Sequence, residues 1–189
     1  MSANGLSAEE ARSALETVRT VERQTRRAVS LRGGGPIVTV WGVVWLVGYL
    51  GSYFLDGIAE GLLWMLANLL GAAATLTIVA RVARRVRDPA AGRIGLLWLA
   101  LLLFAAVIVW VSWPLTYELM GLLIALVMMF GYVVMGIFVD RTFLWLGSGV
   151  SALAVTGYLL LPQQFELWMA FLGGGALVGG GLYITRRWR

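Results

Sequence analysis

The sequence contains no cysteine and no histidine, and all 15 of its basic residues are arginine, so lysine is absent as well. Without cysteine there are no disulfides, no thiol nucleophiles and no cysteine-based metal sites. Without histidine the chain lacks the commonest general base and metal ligand, and without lysine it cannot form a Schiff base. No two acids share one apolar stretch either. We therefore expect no enzymatic activity, no cofactor and no metal site.

Charged residues of any kind are scarce in this chain. They make up 13% of the sequence, against 60% for hydrophobic residues. A soluble domain carries about 25% charged residues, so this chain has too few to cover a surface that faces water. The composition predicts an all-α integral membrane protein with little mass outside the bilayer.

Six long stretches of the chain are free of charge. Each is close to the roughly 20 residues that a helix needs to cross about 30 Å of hydrocarbon. Backbone groups in lipid must be hydrogen-bonded within their own element, so these stretches are expected to be helices. We predict a bundle of six transmembrane helices near residues 36–55, 61–81, 94–113, 118–139, 142–161 and 166–185.

The arginines all fall on one side of this six-span arrangement. They precede the first span, separate spans two and three, separate spans four and five, and follow the last span. Because loops that carry arginine stay in the cytoplasm, we predict cytoplasmic amino and carboxyl termini and a bacterial plasma membrane. The opposite loops carry only acidic residues, namely Asp56, Glu60, Glu118 and Glu166.

Residues 7–31 have the pattern of a cytoplasmic amphipathic helix. Ser7 and Glu10 match a capping box, and small or apolar residues recur at steps of three and four. The glycines at 33–35 are expected to break this helix and to form a hinge. The sequence thus divides into a cytoplasmic segment, 1–35, and a membrane domain, 36–189. The recurring residues are Ala11, Ala14, Leu15, Val18, Val21, Ala28 and Val29.

Three roles for the amphipathic helix stay open. The first is to lie on the membrane with its arginines toward anionic lipid. The second is to pack against a partner helix or a second copy, and the third is to serve as a solvated lead-in with no special role. Two roles stay open for the basic loop at 81–93. It is either a topological signal that keeps the loop on the cytoplasmic side and binds lipid phosphates, or a docking site for a cytoplasmic protein. Nucleic acid is not expected, because no aromatic residues alternate with the arginines. The candidate docking residues are Arg23, Arg26, Arg27, Arg81, Arg84, Arg85 and Arg87.

Three glutamates occupy equivalent places, each at the start of an even-numbered span. A carboxylate there is favoured by the helix dipole, which is one sufficient explanation for Glu60, Glu118 and Glu166. The alternative hypothesis is a threefold repeat of helical hairpins, 36–81, 94–139 and 142–185, whose acids form a cation-attracting ring at the outer mouth.

Polar residues inside the spans are few, and glycine is concentrated in the last span. Asn68 lies in the middle of the second span, between Trp64 and Thr75, and is expected to bond to a neighbouring helix. Gly175 and Gly179 have the spacing that lets two helices approach closely. These five residues are candidates for tight packing or for a cavity.

Two functions fit this sequence. The favoured one is a non-enzymatic membrane protein that anchors or regulates a cytoplasmic partner through residues 7–31 and the loop at 81–93. The alternative is a small transporter, or transporter subunit, for a neutral or weakly polar solute, which would use Trp64, Asn68 and the glycine-rich last span.

Overall fold

The structure is a computed structural model that describes residues 8–84 and 89–187. All regular secondary structure in these two ranges is helical. A 3-10 turn (Pro162–Gln164) precedes the sixth helix and a π-helical turn (Met169–Gly174) follows it. The helices are α1 (Ala8–Phe54), α2 (Gly57–Ala83), α3 (Pro89–Val111), α4 (Tyr117–Phe138), α5 (Arg141–Leu160), α6 (Phe165–Trp168) and α7 (Gly175–Arg187).

Six segments within the described ranges are long and apolar enough to cross a membrane. They match the six predicted spans to within a few residues, so the chain has the fold of a multi-pass membrane protein. The last of them, Pro162–Arg187, is the sixth span. It combines the 3-10 turn, α6, the π-helical turn and α7. The other five lie within α1 to α5.

The predicted break at residues 33–35 is wrong, because α1 continues through these glycines and through Pro36 without interruption. Each glycine instead meets a different neighbour. A Cβ atom added to Gly33 would lie 3.3 Å from Val82 of α2, and one added to Gly34 would lie 3.3 Å from Phe143 of α5. A Cβ atom on Gly35 would lie 2.8 Å from the Gly181 carbonyl oxygen. Close packing, rather than a hinge, accounts for this run of glycines.

The tightest contacts in the bundle join α1 to the sixth span. A Cβ atom on Gly42 would lie 2.5 Å from the backbone nitrogen of Val178, and one on Gly174 would lie 2.8 Å from that of Leu46. Glycine therefore brings the two backbones together from both sides, as small residues do between transmembrane helices. The sixth span buries Phe165, Met169, Leu177 and Ile184 in the core.

Helices α4 and α5 form a second close pair. A Cβ atom on Gly147 of α5 would lie 2.8 Å from the Met129 carbonyl oxygen of α4, and Gly136 of α4 lies against Leu144. Asp140 caps the start of α5, where its carboxylate accepts a hydrogen bond of 2.9 Å from the backbone N–H of Thr142. This cap fixes the short turn between the two helices.

Helices α2 and α3 lie at the periphery of the bundle. α2 packs on α1 and α3 packs on α4, where Trp98 meets the ring of Tyr132 edge-on at 5.4 Å. Only 11% of the most apolar window of each of these two helices is buried, against 39% for the sixth span. Most of the surface of α2 and α3 therefore faces outward.

Candidate functional site

The two ends of the bundle carry charges of opposite sign. At one end, the start of the first span lies against Val82, Phe143 and Thr185, which belong to α2, α5 and α7. We call this the arginine end, because the arginines with described side chains near these contacts are all exposed. They are Arg81, Arg84, Arg93, Arg141, Arg186 and Arg187. The opposite, acidic end carries Asp56, Glu60, Glu118 and Glu166.

Tyr49 holds the acidic end together. Its hydroxyl donates a hydrogen bond of 3.2 Å to the Gly121 carbonyl oxygen of α4. Its ring packs edge-on against Trp64 of α2 at 5.2 Å and against Phe165 at 6.1 Å. One buried side chain of α1 therefore contacts all three helices that begin at this end.

The three glutamates of the predicted acidic ring lie near one another at this end. The charges of Glu118 and Glu60 both act on the carboxylate of Glu166. No group of three acids in residues 8–84 and 89–187 lies close enough to hold a metal ion. The charges of Glu60 and Glu118 repel that of Glu166, and the attraction of cations to the three carboxylates stays a prediction.

Trp64 and Thr75, two of the predicted cavity residues, bind α2 to α1. The Trp64 indole N–H donates to the Ser52 hydroxyl at 2.9 Å, and the Trp41 indole N–H donates to the Thr75 hydroxyl at 3.1 Å. Both bonds link side chains of α1 to side chains of α2. These two predicted cavity residues therefore take part in the contact between α1 and α2.

Asn68 is placed differently from the prediction. Its side chain is exposed, and its amide N–H donates to the Trp64 carbonyl oxygen of the same helix at 2.8 Å. The predicted bond to a neighbouring helix of this chain is therefore wrong. The reason is rotational: Trp64 and Thr75 face α1, whereas Asn68 lies at the edge of that face.

Gly175 and Gly179 do not mediate the close approach expected of them, because a Cβ atom on either would meet nothing within 4 Å. The glycines that bring the two backbones close are Gly174 and Gly181, and a Cβ atom on Gly173 would lie 3.7 Å from the ring of Trp45. The π-helical turn just before α7 changes the rotation of the helix relative to a regular α-helix. The five predicted residues are thus not gathered into one cavity.

The predicted docking residues divide into three groups. Arg81 and Arg84 are exposed at the arginine end, and Arg23, Arg26 and Arg27 belong to α1 before the first span. Arg85 and Arg87 lie outside the described residues. The structure therefore assigns most of this set to one side of the bundle.

The sequence patterns did not single out Trp41 and Tyr49, which organise the contacts of α1. A pattern in the sequence does indicate this face: aromatic residues recur every four positions in the first span, at Trp41, Trp45 and Tyr49. Comparison of the chain with protein-family models, with curated proteins and with solved structures found no match.

Proposed function

We propose that this chain is a non-enzymatic membrane anchor of the bacterial plasma membrane that docks a cytoplasmic protein on the first part of α1. Both termini and the arginine end face the cytoplasm in this proposal. Anionic lipid binds the exposed arginines at the ends of the spans. The observation that carries the proposal is the unbroken course of α1.

Helix α1 has 47 residues, but its membrane-spanning segment is only Gly33–Phe54. Residues 8–32, called the arm below, extend past the span by about 37 Å at 1.5 Å per residue. A helix that lay on the membrane surface would need a sharp break before it entered the bilayer, and α1 is helical throughout Gly33–Pro36. This continuity favours an arm that projects into the cytoplasm over one that lies on lipid.

The sequence of the arm repeats the spacing of the face by which α1 contacts α7. Within the span, Gly35, Thr39 and Gly42 lie against residues of α7. Alternating steps of three and four back along the helix from Gly35 arrive first at Arg32 and then at six residues that are small or apolar, apart from Thr25. This pattern favours a partner helix that would extend the line of α7. The positions are Ala28, Thr25, Val21, Val18, Ala14 and Ala11.

The charge of the two ends supports the proposed orientation. Every arginine with a described side chain at a span end belongs to the arginine end, and the acidic end carries only carboxylates. Arginine is retained on the cytoplasmic side during insertion, and anionic lipid on that side attracts it. The arm begins at this same end, so it extends into the cytoplasm in this arrangement.

Purification of the full chain from its native membranes in a mild detergent, followed by mass spectrometry, tests the proposal. The wild-type chain is compared with Val18→Gln/Val21→Gln, which alters the repeated positions. The matched control is Ser13→Gln/Thr20→Gln, which introduces the same side chains into the arm outside that pattern.

A soluble protein that copurifies in stoichiometric amount with the wild type and the control, and is lost from the Val18/Val21 variant, supports the anchor. A partner that all three retain equally would place docking elsewhere. A chain that purifies alone with a small molecule bound would overturn the proposal in favour of the transporter.

A further inference from the structure

The exposed amide of Asn68 lies near the middle of α2, far from either end of the span. An asparagine amide has two N–H donors and a carbonyl oxygen with two lone pairs. Within the part of the chain that the structure describes, Asn68 makes one hydrogen bond, to the carbonyl oxygen of Trp64. One N–H donor and the whole acceptor oxygen therefore lie on the outer surface of a membrane-spanning helix.

Lipid chains cannot satisfy these groups, because hydrocarbon offers neither donors nor acceptors. A group that does so must present a donor and an acceptor at the same depth in the membrane. A second Asn68 meets both conditions, since amides pair with each other. A twofold axis along the membrane normal brings identical residues of two copies together at one depth. The chemistry of this position thus favours a second copy of the chain.

Two of the neighbours of Asn68 on the outer surface are small, whereas Met65, three residues before it, is 51% exposed. Gly61 and Ala72 are exposed and lie seven residues before it and four residues after it, on the same side of α2. A Cβ atom on Gly61 would meet nothing within 4 Å, so the space beside it is open. Leu66 and Leu70, on the opposite side of the helix, are 55% and 71% exposed and present bulky side chains to lipid. Small residues beside a polar one are typical of helix pairs in membranes.

We propose that two copies of this chain associate in the membrane through parallel α2 helices, with Asn68 bonded to its counterpart and Gly61 and Ala72 in the contact. The surface is independent of the arm, so the dimer neither requires nor excludes the proposed docking of a cytoplasmic protein. The two ideas can fail separately, since one depends on α2 and the other on the arm.

The absence of cysteine from the chain makes a direct test simple. Ala72→Cys places one thiol in the proposed contact, and the matched control Leu70→Cys places one thiol at nearly the same depth on the opposite side. Both full-length variants are oxidised with iodine in native membranes and examined for disulfide-linked dimer. We expect dimer from Ala72→Cys and at least fivefold less from Leu70→Cys, because only the former faces its own copy.

The role of the amide is tested by adding Asn68→Leu or Asn68→Gln to the Ala72→Cys chain. Loss of the hydrogen bond between helices weakens association by about 3- to 30-fold, so Asn68→Leu is expected to lower the dimer yield and Asn68→Gln to retain it. Because Asn68 is exposed, neither change disturbs the core. Equal yields from Ala72→Cys and Leu70→Cys, no yield from either, or a disulfide between Ala72→Cys and a different membrane protein would each overturn the proposal.

Discussion

The indole N–H of Trp41 donates to the hydroxyl of Thr75 across the contact between α1 and α2, at 3.1 Å. Near the carboxyl end of α1, the indole N–H of Trp64 in α2 donates in the reverse direction, to the hydroxyl of Ser52 at 2.9 Å. Indole N–H groups within hydrocarbon need an acceptor. Peripheral α2, which packs chiefly on α1, is thus positioned by two polar bonds as well as by its small residues Ala67 and Gly71, which are buried.

The Trp41–Thr75 bond can be tested with two threonines of the same helix. Thr75→Val keeps the shape of the side chain but leaves the Trp41 N–H without its acceptor, so we expect a loss of about 1 kcal/mol of unfolding free energy. Thr77→Val is the control, because the Thr77 hydroxyl donates to the Ala73 carbonyl oxygen of its own helix and is exposed. Unfolding in detergent micelles measures both. An equal effect of the two changes would contradict a stabilising role for the bond.

The glycines of the sixth span provide a second matched pair. A Cβ atom on Gly181 would lie 2.6 Å from the Thr39 backbone nitrogen and 2.7 Å from the Gly35 carbonyl oxygen, so Gly181→Ala must push α7 away from α1. We expect it to cost about 3 kcal/mol, the upper range for overpacking. Gly179→Ala meets nothing within 4 Å and should stay within about 0.5 kcal/mol of the wild type. Thermal unfolding in one detergent compares them, and similar losses would mean that the α1–α7 contact is looser than described.

The spans could be predicted from the sequence because hydrocarbon excludes charge regardless of how the helices pack. The contacts between helices could not, because they depend on the rotation of each helix. Six glycines of the last span look alike in the sequence, yet only some face α1. A π-helical turn in that span changes the rotation and leaves no recognisable pattern. Asn68 was misplaced for the same reason, since a small difference in angle separates it from the face that contacts α1.

The run Gly33–Gly35 shows how packing overrides propensity. Glycine disfavours a helix by about 1 kcal/mol per residue relative to alanine in water, and that tendency predicted a break. In the structure each of the three glycines admits a neighbour that a larger side chain would crowd, and the contacts maintain the helix. The sequence contains no sign that would distinguish these two uses of glycine.

The proposed orientation predicts which span ends react with a membrane-impermeant maleimide. Ser112 is exposed at the acidic end, whereas Gly92 is exposed at the arginine end. We expect Ser112→Cys to be labelled in intact cells, and Gly92→Cys to be labelled only after the cells are opened. The wild type has no cysteine and supplies the blank. Labelling of Gly92→Cys from outside would reverse the proposed orientation.

The repulsion at the acidic end predicts how salt affects stability. Because the charges of Glu118 and Glu60 act on Glu166, screening by added salt should weaken their repulsion and stabilise the bundle. We expect the unfolding temperature of the wild type to rise by about 1–2 °C between 10 and 150 mM salt, roughly the effect of a partly exposed charge pair. Glu60→Gln/Glu118→Gln should remove most of this rise, since it leaves Glu166 without either charged neighbour.

Asp56→Asn is the control for this prediction. Asp56 is exposed at the same end, and its charge is not among those that act on Glu166. A rise of equal size in all three chains would mean that the salt effect arises elsewhere in the molecule. A rise that calcium produces at far lower concentration than sodium, and that the Glu60/Glu118 variant loses, would support the cation-attracting ring predicted from the three span starts.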